Sequence, residues 1–306
     1  MLDVSLVGTG GFMPMHNRYL TAMLVRFNGK MLLVDCGEGT QMSLRRIGWG
    51  FKDIDVICLT HFHADHTAGL PGLLLTMGNS GRTDPLIIAG PKNVREVVSH
   101  LCVIAPIPYE VQFIELTPKG NAALDFEAGI FPLSALPLDH HTPCLGYSLS
   151  IPRAGRFDAD KAKELGVPLR SWSVLQRGEV VEHEGRLYTP DMVMGPARKG
   201  LKIAYITDTR PTPGIPAFIR DADLFIGEGL YGDEEMLDQA KQKMHMLFSE
   251  AATLARDGEV DELWLTHYSP AMPNPKLFLD SAQRIFPNTV AAFDRITKTL
   301  KFREER

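Results

Sequence analysis

The chain has 306 residues, 44% of them hydrophobic, which is enough to bury a sizeable core in one large domain or two small ones. A formal net charge of −5 argues against a broad basic face for nucleic acid, so any polyanion must be held by a local patch or by metal charge. No stretch approaches the roughly 20 apolar residues of a membrane span, and Met1-Leu2-Asp3-Val4 lacks the basic and apolar regions of a signal peptide. Four scattered cysteines (Cys36, Cys58, Cys102, Cys144) without C-x-x-C spacing predict reduced thiols and a cytoplasmic protein.

Val4–Gly8 reads as a strand that ends in the glycine-rich turn Gly8-Thr9-Gly10-Gly11. Leu20–Phe27 and Met31–Val34 flank Asn28-Gly29, a hairpin signal. The pattern then predicts a helix over Gly37–Ile47, a strand over Ile54–Leu59, a helix over Thr67–Met77, a strand over Leu86–Ala89 and a helix over Asn93–Val103. Short strands follow from Val111 to Ile151. Strands at Ile203–Thr207, Leu224–Ile226 and Glu262–Thr266 alternate with helices at Phe248–Asp257 and Lys276–Ile285. Two such halves predict an α/β fold of two mixed sheets packed face to face with helices outside. The whole of 1–306 reads as a single domain. Residues from about 153 to 200 are polar, rich in Gly and Pro and weakly periodic, so they are expected to be an excursion rather than a second core.

The densest chemistry lies in His61-Phe62-His63-Ala64-Asp65-His66, directly after the apolar run Val56-Ile57-Cys58-Leu59. Three imidazoles and a carboxylate thus sit on a strand-to-helix turn, where side chains can converge. Neutral imidazole nitrogen and carboxylate oxygen are the donors zinc accepts. Three other strand ends offer the same types of ligand. They are Asp139-His140-His141 after Phe131–Leu138, Asp208 after Ile203–Ile206, and His267 after Leu263–Leu265. Ligands at the same ends of several strands converge on one edge of a sandwich.

With these motifs the chain resembles the metallo-β-lactamase superfamily and, within it, the ribonuclease Z (tRNA 3′-processing endonuclease) family. The more specific matches are Leu33-Val-Asp-Cys-Gly-Glu-Gly-Thr-Gln41, Gly69-Leu-Pro-Gly-Leu73, Thr207-Asp-Thr-Arg-Pro211 and Leu265-Thr-His-Tyr-Ser269. The resemblance implies an αββα sandwich. It also implies that His61, His63 and His140 bind one zinc, that Asp65, His66 and His267 bind the other, and that Asp208 bridges them. His140 is preferred to His141 because its six-residue offset to Gly146 matches the family. Manganese or iron is tolerable with such ligands.

Two metals in this setting make water nucleophilic and polarise a phosphoryl oxygen. Two Zn²⁺, two carboxylates and one hydroxide leave the site at about +1, so a phosphodiester is attracted without a basic surface. By resemblance His245 is the general acid for the departing ribose oxygen. Asp65 would orient the nucleophile while binding metal. Arg210 either steadies Asp208 or pairs elsewhere.

The family's extended arm, which grips tRNA, corresponds to the excursion. Its tip here reads Leu169-Arg-Ser-Trp-Ser-Val174, without the usual Gly-Pro pair. Arg170, Trp172 and Arg177 are the candidate RNA contacts, with Trp172 either stacking on a base or packing the arm. Where the family usually has His-Glu after a late strand, this chain has Gly227-Glu228. The expected function is removal of 3′ trailers from precursor tRNA by a homodimer. The competing readings are hydrolysis of a smaller or cyclic phosphodiester, and a non-catalytic nucleic-acid-binding scaffold.

Overall fold

A computed structural model describes residues 1–303. In chain order the strands are β1 (Leu2–Gly8), β2 (Ala22–Phe27), β3 (Lys30–Val34), β4 (Ile54–Cys58), β5 (Leu86–Pro91), β6 (Val111–Leu116), β7 (Leu124–Ala128), β8 (Phe131–Leu138) and β9 (Cys144–Arg153). There follow β10 (Val181–His183), β11 (Arg186–Tyr188), β12 (Arg198–Ile206), β13 (Leu224–Glu228), β14 (Leu263–Thr266), β15 (Thr289–Ala291) and β16 (Thr297–Leu300). They form two mixed sheets of seven, ordered β16-β1-β2-β3-β4-β5-β6 and β15-β14-β13-β12-β9-β8-β7, plus the β10-β11 hairpin. In the first sheet β3 to β6 run parallel, and in the second β12 to β15 do.

The parallel strands bury both faces, which is why they read as unbroken apolar runs rather than alternating ones. Leu33, Ile57 and Ile88 face a helical layer with Leu44, Leu70, Leu74 and Val98. Ile206, Phe225 and Leu265 face another with Ile215, Phe248, Ala252 and Ala282. The alternate residues, among them Leu32, Val56, Tyr147, Tyr205 and Ile226, are also buried. Tyr147 of the second sheet donates to the Leu59 carbonyl beside the first at 2.7 Å. Two sheets face to face with helices outside are therefore what the sequence pattern predicts.

These sheets and their helices make up one compact unit, Met1–Ser150 with Lys202–Lys301, and Ile151–Leu201 with Phe302 and Arg303 is a second. The expected coreless excursion has a small core of its own. Ala162, Val167, Leu175, Tyr188 and Val193 are buried there, with Phe157 and Trp172 packed on them. Asp158 caps the short helix Ala159–Glu164 through Lys161 N at 2.9 Å. The helices here have six and five residues, too few to display a period.

Candidate metal centre

The loops that carry the predicted ligands leave the carboxyl ends of parallel strands, where open sheets place their sites. β4 leads to His61, β12 to Asp208 and β14 to His267, while β8 supplies His140. The bends are tight. Asp35, Asp208 and His267 adopt φ of 59°, 52° and 59° immediately or shortly after their strands. Left-handed backbone at non-glycine residues stores strain and collects at functional sites. The glycine-rich turn lies alongside, with Gly11 N donating to Tyr268 O at 3.0 Å and Tyr268 N to Thr9 O at 2.9 Å. Gly11 has to be glycine, because a Cβ there would stand 2.7 Å from the His267 ring.

All seven predicted ligands converge. One group able to hold an ion is His61, His63, His140 and Asp208, and the next is Asp65, His66 and His267. His61 Nε2 lies 2.9 Å from His63 Nδ1, and His140 Nε2 lies 3.5 Å from the same atom. His66 Nε2 and His267 Nε2 are 3.2 Å apart, and Asp65 Oδ2 is 3.4 Å from the latter. Asp208 reaches both groups with different oxygens. Its Oδ1 is 3.2 and 3.3 Å from His66 and His267, and its Oδ2 is 3.7 and 3.9 Å from His61 and His140. The neighbouring His141 is exposed.

The electrostatics fit a cation. Asp208 is buried at 2% exposure, and its Oδ1 faces only the His66 and His267 imidazoles. Burying a carboxylate is costly unless positive charge faces it, and a metal ion would supply that charge. Burial pushes the Asp208 carboxyl up, yet the facing imidazoles, His267 and His66 foremost, hold it well below the usual range. Burial drives the His61 imidazole down to about 2 and His140 to about 4, which keeps both neutral and their lone pairs free. His66 is opposed by burial but raised by the facing charges of Asp208 and Asp35.

A surrounding layer aims these groups. Asp35 is fully buried and accepts from Thr60 N at 2.8 Å and from His66 Nδ1 at 2.8 Å, which turns His66 Nε2 toward the centre. Asp65 Oδ2 accepts from Phe12 N at 2.7 Å. His245 follows Met244, whose φ is 59°, and pairs through Nδ1 with Glu228 Oε2 at 2.9 Å. Glu228 also accepts from Thr209 N at 2.7 Å. Gly227-Glu228 thus keeps a carboxylate beside His245 although the preceding residue is glycine. Asp35 and Glu228 have no assigned role in the sequence reading. In sequence each is an acid at a strand end, Asp35 within the Leu33–Gln41 motif and Glu228 after Gly227.

Arg210 does not touch Asp208. It forms a two-pronged pair with Glu250 and donates to the His245 carbonyl, while Glu250 accepts from Leu247 N at 2.9 Å. Within its own unit Trp172 donates to Val167 O at 3.1 Å and packs on Phe157 at 5.1 Å, so it serves the small core. Arg170 and Arg177 are exposed, the latter paired with Glu179 at 2.7 Å. No helix is long and apolar enough to cross a membrane among the described residues.

A two-sheet sandwich with imidazoles and carboxylates gathered at its strand ends is a protein of the metallo-β-lactamase fold, and the gathered side chains are of the kind and spacing that could hold metal ions. A metallo-β-lactamase fold protein from Bacillus subtilis matches with a TM-score of 0.68 at 19% identity, covering 98% of this chain and 100% of that one. The short form of human tRNase Z matches with a TM-score of 0.71 at 24% identity, covering 98% and 99%. The family model for the anti-Pycsar protein Apyc1 matches residues 2–101. A ribonuclease Z from Clostridium acetobutylicum is 52% identical over 306 residues, 99% of each chain, and one from Lachnospira eligens is 51% identical over all of both. The chain belongs to the ribonuclease Z family.

Proposed function

We propose that this protein is a dinuclear zinc phosphodiesterase that removes 3′ trailers from precursor tRNA in the cytoplasm. The observation that carries the reading is Asp208, whose two carboxylate oxygens face two separate ligand groups. In this reading His61, His63 and His140 would hold one ion, Asp65, His66 and His267 would hold the other, and Asp208 would serve both. Nitrogen and carboxylate donors without thiolate suit zinc, with manganese or iron as tolerable substitutes. A bound pair supplies a nucleophilic water and neutralises charge gathering on the phosphate oxygens.

The chain's own groups do the rest. Asp65, fixed by the Phe12 amide, orients the attacking water. His245 gives its Nε2 proton to the departing ribose oxygen while Glu228 holds Nδ1. Arg210 and Glu250 brace the His245 loop from behind. The exposed Arg170 and Arg177 offer phosphate contacts on the arm. A second copy of the chain, as in the expected homodimer, would present that arm to the partner's centre.

Incubation of the purified protein with an unprocessed tRNA transcript tests this, with the cut mapped to the nucleotide and metal content measured in parallel. One cut after the discriminator base and about two equivalents of zinc per chain are expected. Hydrolysis of bis(p-nitrophenyl) phosphate with an intact transcript would instead favour a smaller phosphodiester.

A further inference from the structure

Beside the metal centre lies a cleft of about 390 Å³ that the hydrolytic machinery does not use. That size falls within the roughly 300–1,000 Å³ of small-molecule sites. Phe12, Tyr231, Met236, Met272 and Phe278 give it apolar and aromatic walls, and Lys243 lies on its rim. Tyr231 and Met272 are buried, whereas Phe12 is 51% exposed. The Phe12 ring is therefore not held by a core. It stands edge-on to His245 at 5.7 Å and tilted to His267 at 6.4 Å. Its backbone is at φ 63°, and its amide is tied to Asp65. An aromatic residue in left-handed backbone is uncommon and calls for a reason. Here that backbone fixes an exposed aromatic face at the edge of the reaction site. Gly232 lets the far wall close in, since a Cβ there would meet Phe278 at 2.4 Å.

The position of the cleft selects its occupant. His245 delivers its proton to the ribose oxygen that leaves, so the leaving nucleoside must lie on the His245 side of the phosphate. The cleft adjoins His245 through Phe12, Tyr231 and Lys243. We infer that Phe12 and this cleft bind the base of the nucleotide whose ribose oxygen departs, chiefly by stacking, with Asp233, Gln239 and Ser269 as the polar part of the lining. Every base has a π-face, so such a subsite fixes the scissile phosphate while tolerating sequence. Lys243 at the rim meets the phosphate on the far side of that nucleotide. The inference rests on the phosphodiesterase reading above and adds to it where one substrate residue sits.

The test pairs two substrates with three proteins. Precursor tRNA carries either its natural base or an abasic sugar at the nucleotide before the cut, and the proteins are wild type, Phe12→Ala and Phe12→Trp. Loss of the base should lower kcat/KM of the wild type about five- to a hundred-fold. Phe12→Ala should lose a similar factor on the natural substrate and little more on the abasic one, and Phe12→Trp should restore cleavage. An equal Phe12→Ala loss on both substrates overturns the inference. A second measurement needs no cleavage, namely titration of 2-aminopurine riboside 3′-monophosphate followed by its fluorescence. Quenching that saturates with wild type and weakens at least about five-fold in Phe12→Ala supports the subsite even if no precursor tRNA is cut. In that event the tRNA reading falls alone. Absent quenching, or quenching equal in the two proteins, overturns the subsite whatever happens to tRNA.

Discussion

Replacing Glu228 with Gln preserves the side chain's shape and removes its charge. Glu228 is fully buried, with Oε2 2.9 Å from His245 Nδ1 and Oε1 accepting from Thr209 N at 2.7 Å. Burial alone pushes the His245 imidazole down, but the charge and hydrogen bond of Glu228 outweigh it and leave His245 above its ordinary value. With Gln the offset disappears and burial prevails. His245 then loses its proton at lower pH, so the alkaline limb of the kcat profile moves toward acid. A hydrogen bond to a charged group is worth about 1.5–3 kcal/mol, so kcat near neutrality should fall about 10- to 150-fold. The assay is kcat on precursor tRNA across roughly pH 5 to 9 at saturating substrate. Glu228 Oε2 is also 4.0 Å from His267 Nδ1, so metal content must be measured beside it. An unmoved alkaline limb, or a loss of activity that follows a loss of metal, would show that Glu228 serves His267 instead.

Gly11→Ala places a methyl 2.7 Å from the His267 ring and should weaken metal retention about 10- to 100-fold, read by competition with a chelator. Unchanged retention would mean that the turn yields. Arg210→Ala breaks a pair whose members are only 14% and 21% exposed and leaves Glu250 without its partner. It should cost about 2–3 kcal/mol in denaturant unfolding, with kcat reduced more than KM is raised. Replacing residues 155–195 by a short linker should cost about 100-fold or more on precursor tRNA but only a few-fold on bis(p-nitrophenyl) phosphate. Equal losses would remove the arm from substrate recognition.

The convergence of these histidines and aspartates was legible because the runs before them are apolar, as a core strand demands, so the ends of the runs locate the edge of the sheets. Histidine and aspartate at four such ends predicted convergence before any distance was known. The groups that aim them were hidden for one reason. Asp35 meets His66, Glu228 meets His245, and Arg210 meets Glu250 across 31, 17 and 40 residues. Such pairings depend on which loops the fold brings together, and no local period encodes them. β15 and β16, at three and four residues, are too short to show alternation and had no counterpart in the sequence reading. Trp172 was ambiguous in sequence because an aromatic in a polar segment serves a small core or a ligand equally well, and its contacts decide for the core.

His61, His63, Asp65 and His66 hang from the first sheet, whereas His140, Asp208 and His267 hang from the second. An ion held by both sets would act as a rivet through the open edge of the sandwich. Chelation should therefore loosen the seam as well as silence the chemistry, and any slip of one sheet past the other should release the ion before the strands themselves melt.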